Sequence, residues 1–340
     1  MSDCNNPEMS VIIVTPDRYN TIRKTIKHLR AQTVRDKLEI VIVAPSVEEL
    51  KIDEPELREF SQFRVIEVGK LNSAARAKVR GILEANAPIV AFAEDHSFPD
   101  QNWAEALIEA HNKPWAVVGP VIRNANPDTI SSWAELFIAY APWLDPSPAG
   151  MADHLPGHNS SYKREILLNY GPELEEILES ESVLHWDLKK KGYRLWLEPK
   201  AKTNHLNMEL IIPAIEAQYY SGRLFAAVRA RNLLLPKRIC LVGAAPLIPL
   251  VRLIRIVRQV NRSRINPALV KTLPFLTLAL LVSAFGEMIG YTMGAGNAKD
   301  KLTIFEFHRV RYLRKKCNPE ESVFPLNINC LFKETFHFEK

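Results

Sequence analysis

Short β-branched runs and amphipathic stretches alternate through the first half of the chain. Ser10–Thr15 (SVIIVT) has the composition of a buried parallel strand. After a Pro16-Asp17-Arg18 turn, Thr21–Gln32 puts Ile22, Ile26 and Leu29 on one helical face and its Arg and Lys residues on the other. Leu38–Val43 (LEIVIV) is a second strand, giving a βαβ unit whose crossover is almost always right-handed. Phe63–Val68 reads as a third strand, Asn72–Ala85 as a helix and Pro88–Ala93 (PIVAFA) as a fourth strand that runs straight into Glu94-Asp95-His96. A helix over Asn102–His111 and a strand at Trp115–Val118 follow. This alternation predicts an open α/β sheet with helices on both faces. Ligands of such sheets sit at the carboxyl ends of the strands, here Thr15–Arg18, Ala44–Ser46 and Glu94–His96.

Farther along, Ser131–Asp153 is aromatic and proline-rich, the composition of loops around a pocket. Glu173–Lys191 reads as an amphipathic helix ended by Gly192, and Tyr193–Leu197 as a short strand. Beyond Pro213 the character changes. Ala214–Asn232 reads as a helix, and Ile239–Arg264 is apolar with Arg252, Arg255 and Arg258 along one side. Thr272–Ile289 is nearly all apolar except Glu287, barely long enough to cross about 30 Å of hydrocarbon. The pattern divides the chain into an α/β domain over 9–213, a basic apolar helical region over 214–298 and a tail over 299–340 with a basic cluster at Arg309–Lys316.

The net charge of +5 on 340 residues is too small to argue for a nucleic-acid partner, but its placement is informative. Ala217–Gly286 contains no Asp or Glu, yet it carries Arg223, Arg229, Arg231, Lys237, Arg238, Arg252, Arg255, Arg258, Arg262, Arg264 and Lys271. A cationic apolar helix of this kind lies in the headgroup layer of an anionic membrane surface; the alternative is a hydrophobic subdomain with arginines at its rim. The cysteines Cys4, Cys240, Cys317 and Cys330 are far apart, with neither metal-ligand spacing nor a disulfide framework, which fits a reduced compartment. Met1–Met9 is polar and has no apolar core, unlike a secretory signal, so the expected location is the cytoplasmic face of a membrane, peripheral or with a single span.

Glu94-Asp95-His96, at the end of an apolar strand, is either a divalent-cation site able to neutralise a diphosphate or an acidic turn that caps the next helix. Taken in order, Ser10–Gln32, Leu38–Ser46, Ala75–Gly81, Pro88–Trp103, Gly157–Arg164 and Glu181–His205 resemble the family 2 glycosyltransferases with the GT-A fold. That resemblance implies a nucleotide-sugar donor, a saccharide or lipid-linked acceptor and Mn²⁺ or Mg²⁺. It implies that Asp95, His96 and His205 hold the cation and that Glu94 lies nearer the ribose. Thr15, Pro16, Asp17, Arg18 and Ser46 match the nucleotide-contacting loops, although the acid that family members carry after the second strand is missing at Ala44-Pro45-Ser46. Lys78 matches an arginine that faces phosphate; Arg76 beside it is equally a solvated helix residue. Trp103, Gly157, His158 and Asn159 match the border of donor sugar and acceptor.

Counting back from Gly192, Glu181 falls on the second acid of the family's acidic pair and Ser180 replaces the first. This makes Glu181 the expected general base, with its pKa lifted by an apolar surround, and Glu179 the fallback. The pattern Gln-x-x-Arg-Trp of the family's processive synthases is absent from Gln218–Leu224, so transfer of one sugar is expected, and the resemblance implies inversion at the anomeric carbon. Two other readings compete: a nucleotidyltransferase, which would need a glycine- and arginine-rich first loop, and a degenerate, non-catalytic GT-A protein that binds a sugar nucleotide or a partner at the membrane.

Overall fold

The computed structural model describes residues 6–231, 233–263 and 265–314. Cys4, Cys317, Cys330, Arg264, the end of the basic cluster and most of the expected tail lie outside the described residues. The elements, in chain order, are β1 (Met9–Val14), α1 (Tyr19–Arg30), β2 (Leu38–Ala44), β3 (Gln62–Glu67), α2 (Ala74–Glu84), β4 (Ile89–Ala93), β5 (Ser97–Pro99), α3 (Trp103–His111) and β6 (Val117–Asn124). There follow α4 (Ile130–Tyr140), β7 (Gly150–Met151), β8 (Ser161–Lys163), α5 (Glu181–Lys190), β9 (Leu195–His205), α6 (Ile211–Arg231), α7 (Leu235–Ala244), α8 (Ile248–Arg262), α9 (Asn266–Met293) and α10 (Ala298–Phe307), with shorter helical turns between some of them.

Among the described residues the strands form one mixed sheet in the order β3-β2-β1-β4-β8-β6-β9-β5, with β7 beside β9. β3, β2, β1 and β4 are parallel, so the carboxyl ends of β1, β2 and β4 share one edge. β8 runs antiparallel between β4 and β6, and β6 runs parallel to β9. The sheet is curled and mixed, with helices on both faces, as the GT-A fold requires. Side chains of β1 and β2 alternate between two apolar layers, because successive residues of a strand point to opposite faces. Val11, Ile13, Ile40 and Ile42 face Ile22, Ile26 and Leu29 of α1 and Trp103 and Leu107 of α3. Ile12, Val41 and Val43 face the layer that holds Ile82 of α2 and Phe137 of α4. Each such side chain, fully buried, contributes about 1.5–3 kcal/mol.

Three expectations are corrected by the packing. Ser131–Asp153 is not all loop: Thr129 caps α4, its Oγ1 accepting from Ser132 N at 3.2 Å, and Ala134 and Phe137 bury into the core. Of its aromatic residues Phe137 is core, while the buried Tyr140 and Trp143 line a cavity, as a segment bordering a pocket would. Glu173–Lys191 is not one helix. Ser180 adopts an extended conformation (φ −147°, ψ 102°), which ends one short helix and makes Glu181 the first residue of α5. Arg252 does not share the exposed side of Arg255 and Arg258; it turns inward to Ser283 Oγ at 3.0 Å and Glu287.

The apolar helices after Pro213 join the body of the fold. Ile256, Val260, Leu269, Leu276 and Leu280 belong to the same apolar layer as Phe137 and Leu144. α6 and α9 approach backbone to backbone. A Cβ on Gly222 would collide with the Ser283 carbonyl oxygen, one on Gly286 with that of Tyr219 and one on Gly290 with that of Arg223. Gly286 and Gly290 are four residues apart on α9, the small-xxx-small spacing that lets two helices touch. Replacing Gly290 with Ala forces these backbones apart and should cost about 1–3 kcal/mol, as overpacking does. Urea unfolding measures this, and an unchanged midpoint would contradict the close approach.

Candidate active site

The sheet places two histidines from distant parts of the chain side by side. β5 pairs antiparallel with the end of β9, with Ser97 opposite His205, so His205 arrives beside His96. Their rings meet edge to face with centroids 5.0 Å apart. Thr25 Oγ1 of α1 donates to the Glu94 carbonyl at 2.7 Å and pins the turn between β4 and β5. Glu94 Oε2 lies 3.6 Å from His96 Nε2 and 3.7 Å from His205 Nε2, and all three side chains are buried. Neither Glu94 Oε2 nor His96 Nε2 has a hydrogen-bond partner. On the outer side of each ring, Nδ1 faces an oxygen: Asp95 Oδ1 at 2.7 Å for His96 and Asn207 Oδ1 at 2.9 Å for His205. Asn207 favours hydrogen on Nδ1 of His205, leaving its Nε2 to present a lone pair toward Glu94. Burial disfavours a charged His96, but Glu94, Glu306 and Asp95 outweigh it and raise its imidazole above the usual range. One carboxylate oxygen and two imidazole nitrogens converge here, the oxygen and His96 Nε2 without hydrogen-bond partners, a donor set that fits a divalent cation; imidazole suits Mn²⁺ better than Mg²⁺.

A second group faces the same space. Glu181 Oε1 accepts from Lys78 Nζ at 2.9 Å, and His158 Nδ1 stands 2.8 Å from Glu94 Oε1 and 3.7 Å from Glu181 Oε1. Burial pushes the Glu181 carboxyl up, but His158 and Lys78 outweigh it and hold the pKa at about 2. Burial disfavours a charged His158, yet the carboxylates of Glu181 and Glu94 prevail over it and over Lys78, raising the imidazole to about 9. Burial, together with His96 and Arg309, keeps His205 well below its usual range and therefore neutral. The acids thus outweigh the fixed cations, and His158 takes up a proton in response. Gly157 permits this assembly, since a Cβ there would overlap the Cβ and Cγ of Glu181. The Glu94, His205 and Glu181 groups line one cavity of about 400 Å³, within the size range of small-molecule sites.

Residues 10–171 match the family model described as Glycosyl transferase family 2. That match takes in a little under half of the chain, from β1 to beyond β8. Part of the chain is 30% identical, over 127 residues, to Polypeptide N-acetylgalactosaminyltransferase 4 of Caenorhabditis elegans, covering 37% of this chain and 21% of that protein. The chain therefore spans about a fifth of the length of this curated relative. Among solved structures it resembles the mannosyltransferase PcManGT from Pyrobaculum calidifontis, in complex with GDP-Man and Mn²⁺, at 15% identity and a TM-score of 0.49, covering 83% of this chain and 87% of that one. It also resembles TarS of S. aureus in complex with UDP, at 14% identity and a TM-score of 0.43, covering 84% and 90% of the two chains.

Several side chains stand elsewhere than their expected places. Asp95 does not point into the cation cluster; it orients His96, and Glu94, expected nearer the ribose, supplies the inward carboxylate. The exchange arises in the turn between β4 and β5, where Glu94 and His96 face the cluster and Asp95 bonds to the outer side of the His96 ring. Trp103, expected beside the sugars, is 2% exposed and packed in the layer under α1 and α3. Glu181 was expected to have a lifted pKa, but its cationic neighbours lower it. Asn159 is buried, with Oδ1 accepting from Ser97 Oγ and Nδ2 unpartnered. Lys78 is buried, whereas Arg76 pairs at the surface with Glu175.

The remaining expected residues surround this centre. Thr15 is buried and its Oγ1 accepts from Asp17 N at 3.3 Å; Pro16 is half-buried and Arg18 exposed, both in the turn before α1. Asp17 lies 3.1 Å from His308. Ser46 caps a short helix after β2 by accepting from Glu49 N. Glu179 is tied to Ser73 and Lys299, leaving Glu181 as the acid beside His158. Sequence reasoning missed Glu135, Tyr140, Glu306 and Arg309, which also line the cavity. The available signal was Phe305-Glu306-Phe307-His308-Arg309, where buried aromatic residues alternate with charged ones in a stretch otherwise read as tail.

Replacing Gly157 with Ala should displace Glu181 from Lys78 while leaving the sheet intact. The expected result is a stability loss of about 1–3 kcal/mol with catalytic turnover reduced far more than that loss explains. Unfolding curves and turnover of the same preparation measure both; unchanged turnover would show that the Gly157–Glu181 contact has no functional weight.

Proposed function

We propose that this protein transfers a single sugar, with inversion, from a nucleotide-sugar donor to an acceptor hydroxyl in polysaccharide or glycolipid assembly at the cytoplasmic face of a membrane. The observation that carries the reading is the convergence of Glu94 Oε2, His96 Nε2 and His205 Nε2 beside Glu181 in one cavity. A divalent cation held by those three residues, Mn²⁺ better than Mg²⁺, would neutralise charge on a nucleoside diphosphate leaving group. Lys78 is the mobile cation nearest the carboxylates and is placed to meet phosphate as a point charge. Glu181, ionised at neutral pH, accepts the proton of the acceptor hydroxyl as that oxygen attacks the anomeric carbon. His158, Asn159 and Gly157 border the sugars, and Thr15–Arg18 and Ser46 border the nucleotide. Proximity of base and cation centre supplies the orientation that a single displacement needs.

Turnover of a panel of nucleotide sugars with Mn²⁺, read as nucleoside diphosphate released, tests this. Glu181→Gln should lower kcat by about 10²–10⁴-fold, the usual contribution of a positioned base, and leave donor binding within a few-fold. His205→Ala should abolish stimulation by Mn²⁺. Donor binding without turnover in the parent protein would favour the non-catalytic reading instead.

The membrane location rests on the outer faces of the C-terminal helices. Two segments, Leu235–Arg262 and Ala268–Met293, are long and apolar enough to cross a membrane. Leu235, Ile239, Leu250 and Ile254 on α7 and α8, and Val270, Leu278, Leu281 and Phe285 on α9, are exposed, as are Arg255 and Arg258. The opposite side of α9 packs on α4 and α6, which supports a helix lying in the membrane plane rather than spanning it. The protein should float with anionic vesicles more than with neutral ones. Arg255→Glu with Arg258→Glu should reduce flotation several-fold, and equal binding to both vesicle types would remove the electrostatic part of the proposal.

A further inference from the structure

The segment after α9 returns to the cation cluster and is held there by a built frame. Lys299 of α10 pairs with Glu179, and Phe305 packs with Met208, Ala214 and Ala217. Beyond α10, Glu209 N and Leu210 N donate to the Tyr312 carbonyl at 2.9 and 3.1 Å, and Arg314 N donates to Glu209 Oε2 at 2.7 Å. His308 lies 3.1 Å from Asp17 in the loop after β1. Arg309, buried, pairs with Glu135 and approaches Glu306 Oε2 at 3.4 Å. This leaves Glu306 Oε1 facing the centre, 3.9 Å from His96 Nε2 and 3.9 Å from His158 Nδ1. Glu94, His158 and Glu306 also offer ligand atoms that all lie within 4.8 Å of one another.

We infer that Glu306 is a further protein ligand of the cation, carried by the C-terminal segment and oriented by Arg309. The inference rests on Glu94, His96 and His205 forming the cation site. Ligands about 2.0–2.2 Å from one ion stand roughly 3–4 Å apart, the spacing of Glu306 Oε1 from the orphaned His96 Nε2. The two oxygens of Glu306 divide the work: Oε2 faces the guanidinium and fixes the carboxylate plane, and Oε1 is free to coordinate. Two carboxylates, Glu94 and Glu306, balance a divalent charge. Four protein ligands leave part of an octahedral shell open to phosphate oxygens. Cation binding then fastens residues 298–312 over the cavity, so the C-terminal segment is a component of the metal centre.

The test uses the full chain without nucleotide. Loss of the free Mn²⁺ electron paramagnetic resonance signal gives the affinity of the parent, of Glu306→Gln and of His96→Ala. Glu306→Gln should bind Mn²⁺ at least tenfold more weakly, and His96→Ala should lose binding. In the parent, Mn²⁺ should slow amide hydrogen exchange over 298–312, and Glu306→Gln should abolish that slowing. The parent arm alone keeps the inference open to refutation if Glu306→Gln does not fold. Tight Mn²⁺ binding by the parent with no change in exchange over 298–312, or equal affinity in folded Glu306→Gln, overturns the role of Glu306 and leaves the three-residue site standing. Absence of Mn²⁺ binding to the parent overturns the cation site itself.

Discussion

Glu94 is buried where β4 ends, with one carboxylate oxygen held by His158 and the other without a partner. An unpaired buried charge costs several kcal/mol, and the surroundings of this carboxylate are arranged around that cost. His96 and His205 turn Nε2 toward the orphaned oxygen, and Asp95 and Asn207 fix those rings from behind. Lys78 and Arg309 bring positive charge to the edges without reaching Glu94 Oε2. In the proposed function a divalent ion would satisfy the oxygen and both nitrogens at once.

The sheet makes this arrangement possible through one departure from a simple doubly wound order. Parallel β1, β2 and β4 carry the loops that follow them to one edge, where ligands of open α/β sheets sit. β8 then inserts antiparallel between β4 and β6, which delivers the Gly157–Asn159 turn to the end of β4. β9 is long enough to pair with β6 along its length and with β5 at its end, so His205 reaches His96. Gly157 completes the approach, because α5 begins at Glu181 against its Cα. Each contact in the site is thus fixed by strand register or by a glycine.

Much of this was legible in the sequence because it depends on local pattern. The β-branched runs at Val11–Val14 and Ile40–Val43 admit one reading, and the helix at Thr21–Arg30 follows from Ile22, Ile26 and Leu29. That Glu94-Asp95-His96 lies at the end of β4 was likewise readable. Which of those side chains turns inward was not, since that depends on the conformation of the turn between β4 and β5. Trp103 illustrates the converse: its place in the sequence beside the acidic motif gave no sign that α3 turns it into the core. The extended Ser180 and the return of Glu306 and Arg309 were illegible for a different reason. Both arise from contacts across more than a hundred residues, such as Arg309 with Glu135, that no local periodicity encodes.

The low pKa of Glu181 looks at first like an obstacle to its role, since a base near 2 has little drive to take a proton at neutral pH. The cause of the depression answers the difficulty. Burial acts in the opposite direction and is the largest single influence, and it is overcome mainly by His158 and Lys78, with help from a backbone N–H at the start of α5. Lys78 reaches Glu181 through a flexible four-carbon chain and has its own alternative partner in a phosphate. In the proposed reaction, a donor phosphate that drew the ammonium away would remove one of the cations stabilising the ionised carboxylate while the burial remained, and the pKa of Glu181 would rise toward the range of a useful base. The carboxylate would thereby be kept charged and paired until donor arrived. Gly157 would be needed for this coupling, because a Cβ there would overlap Glu181 where α5 begins and push it from Lys78.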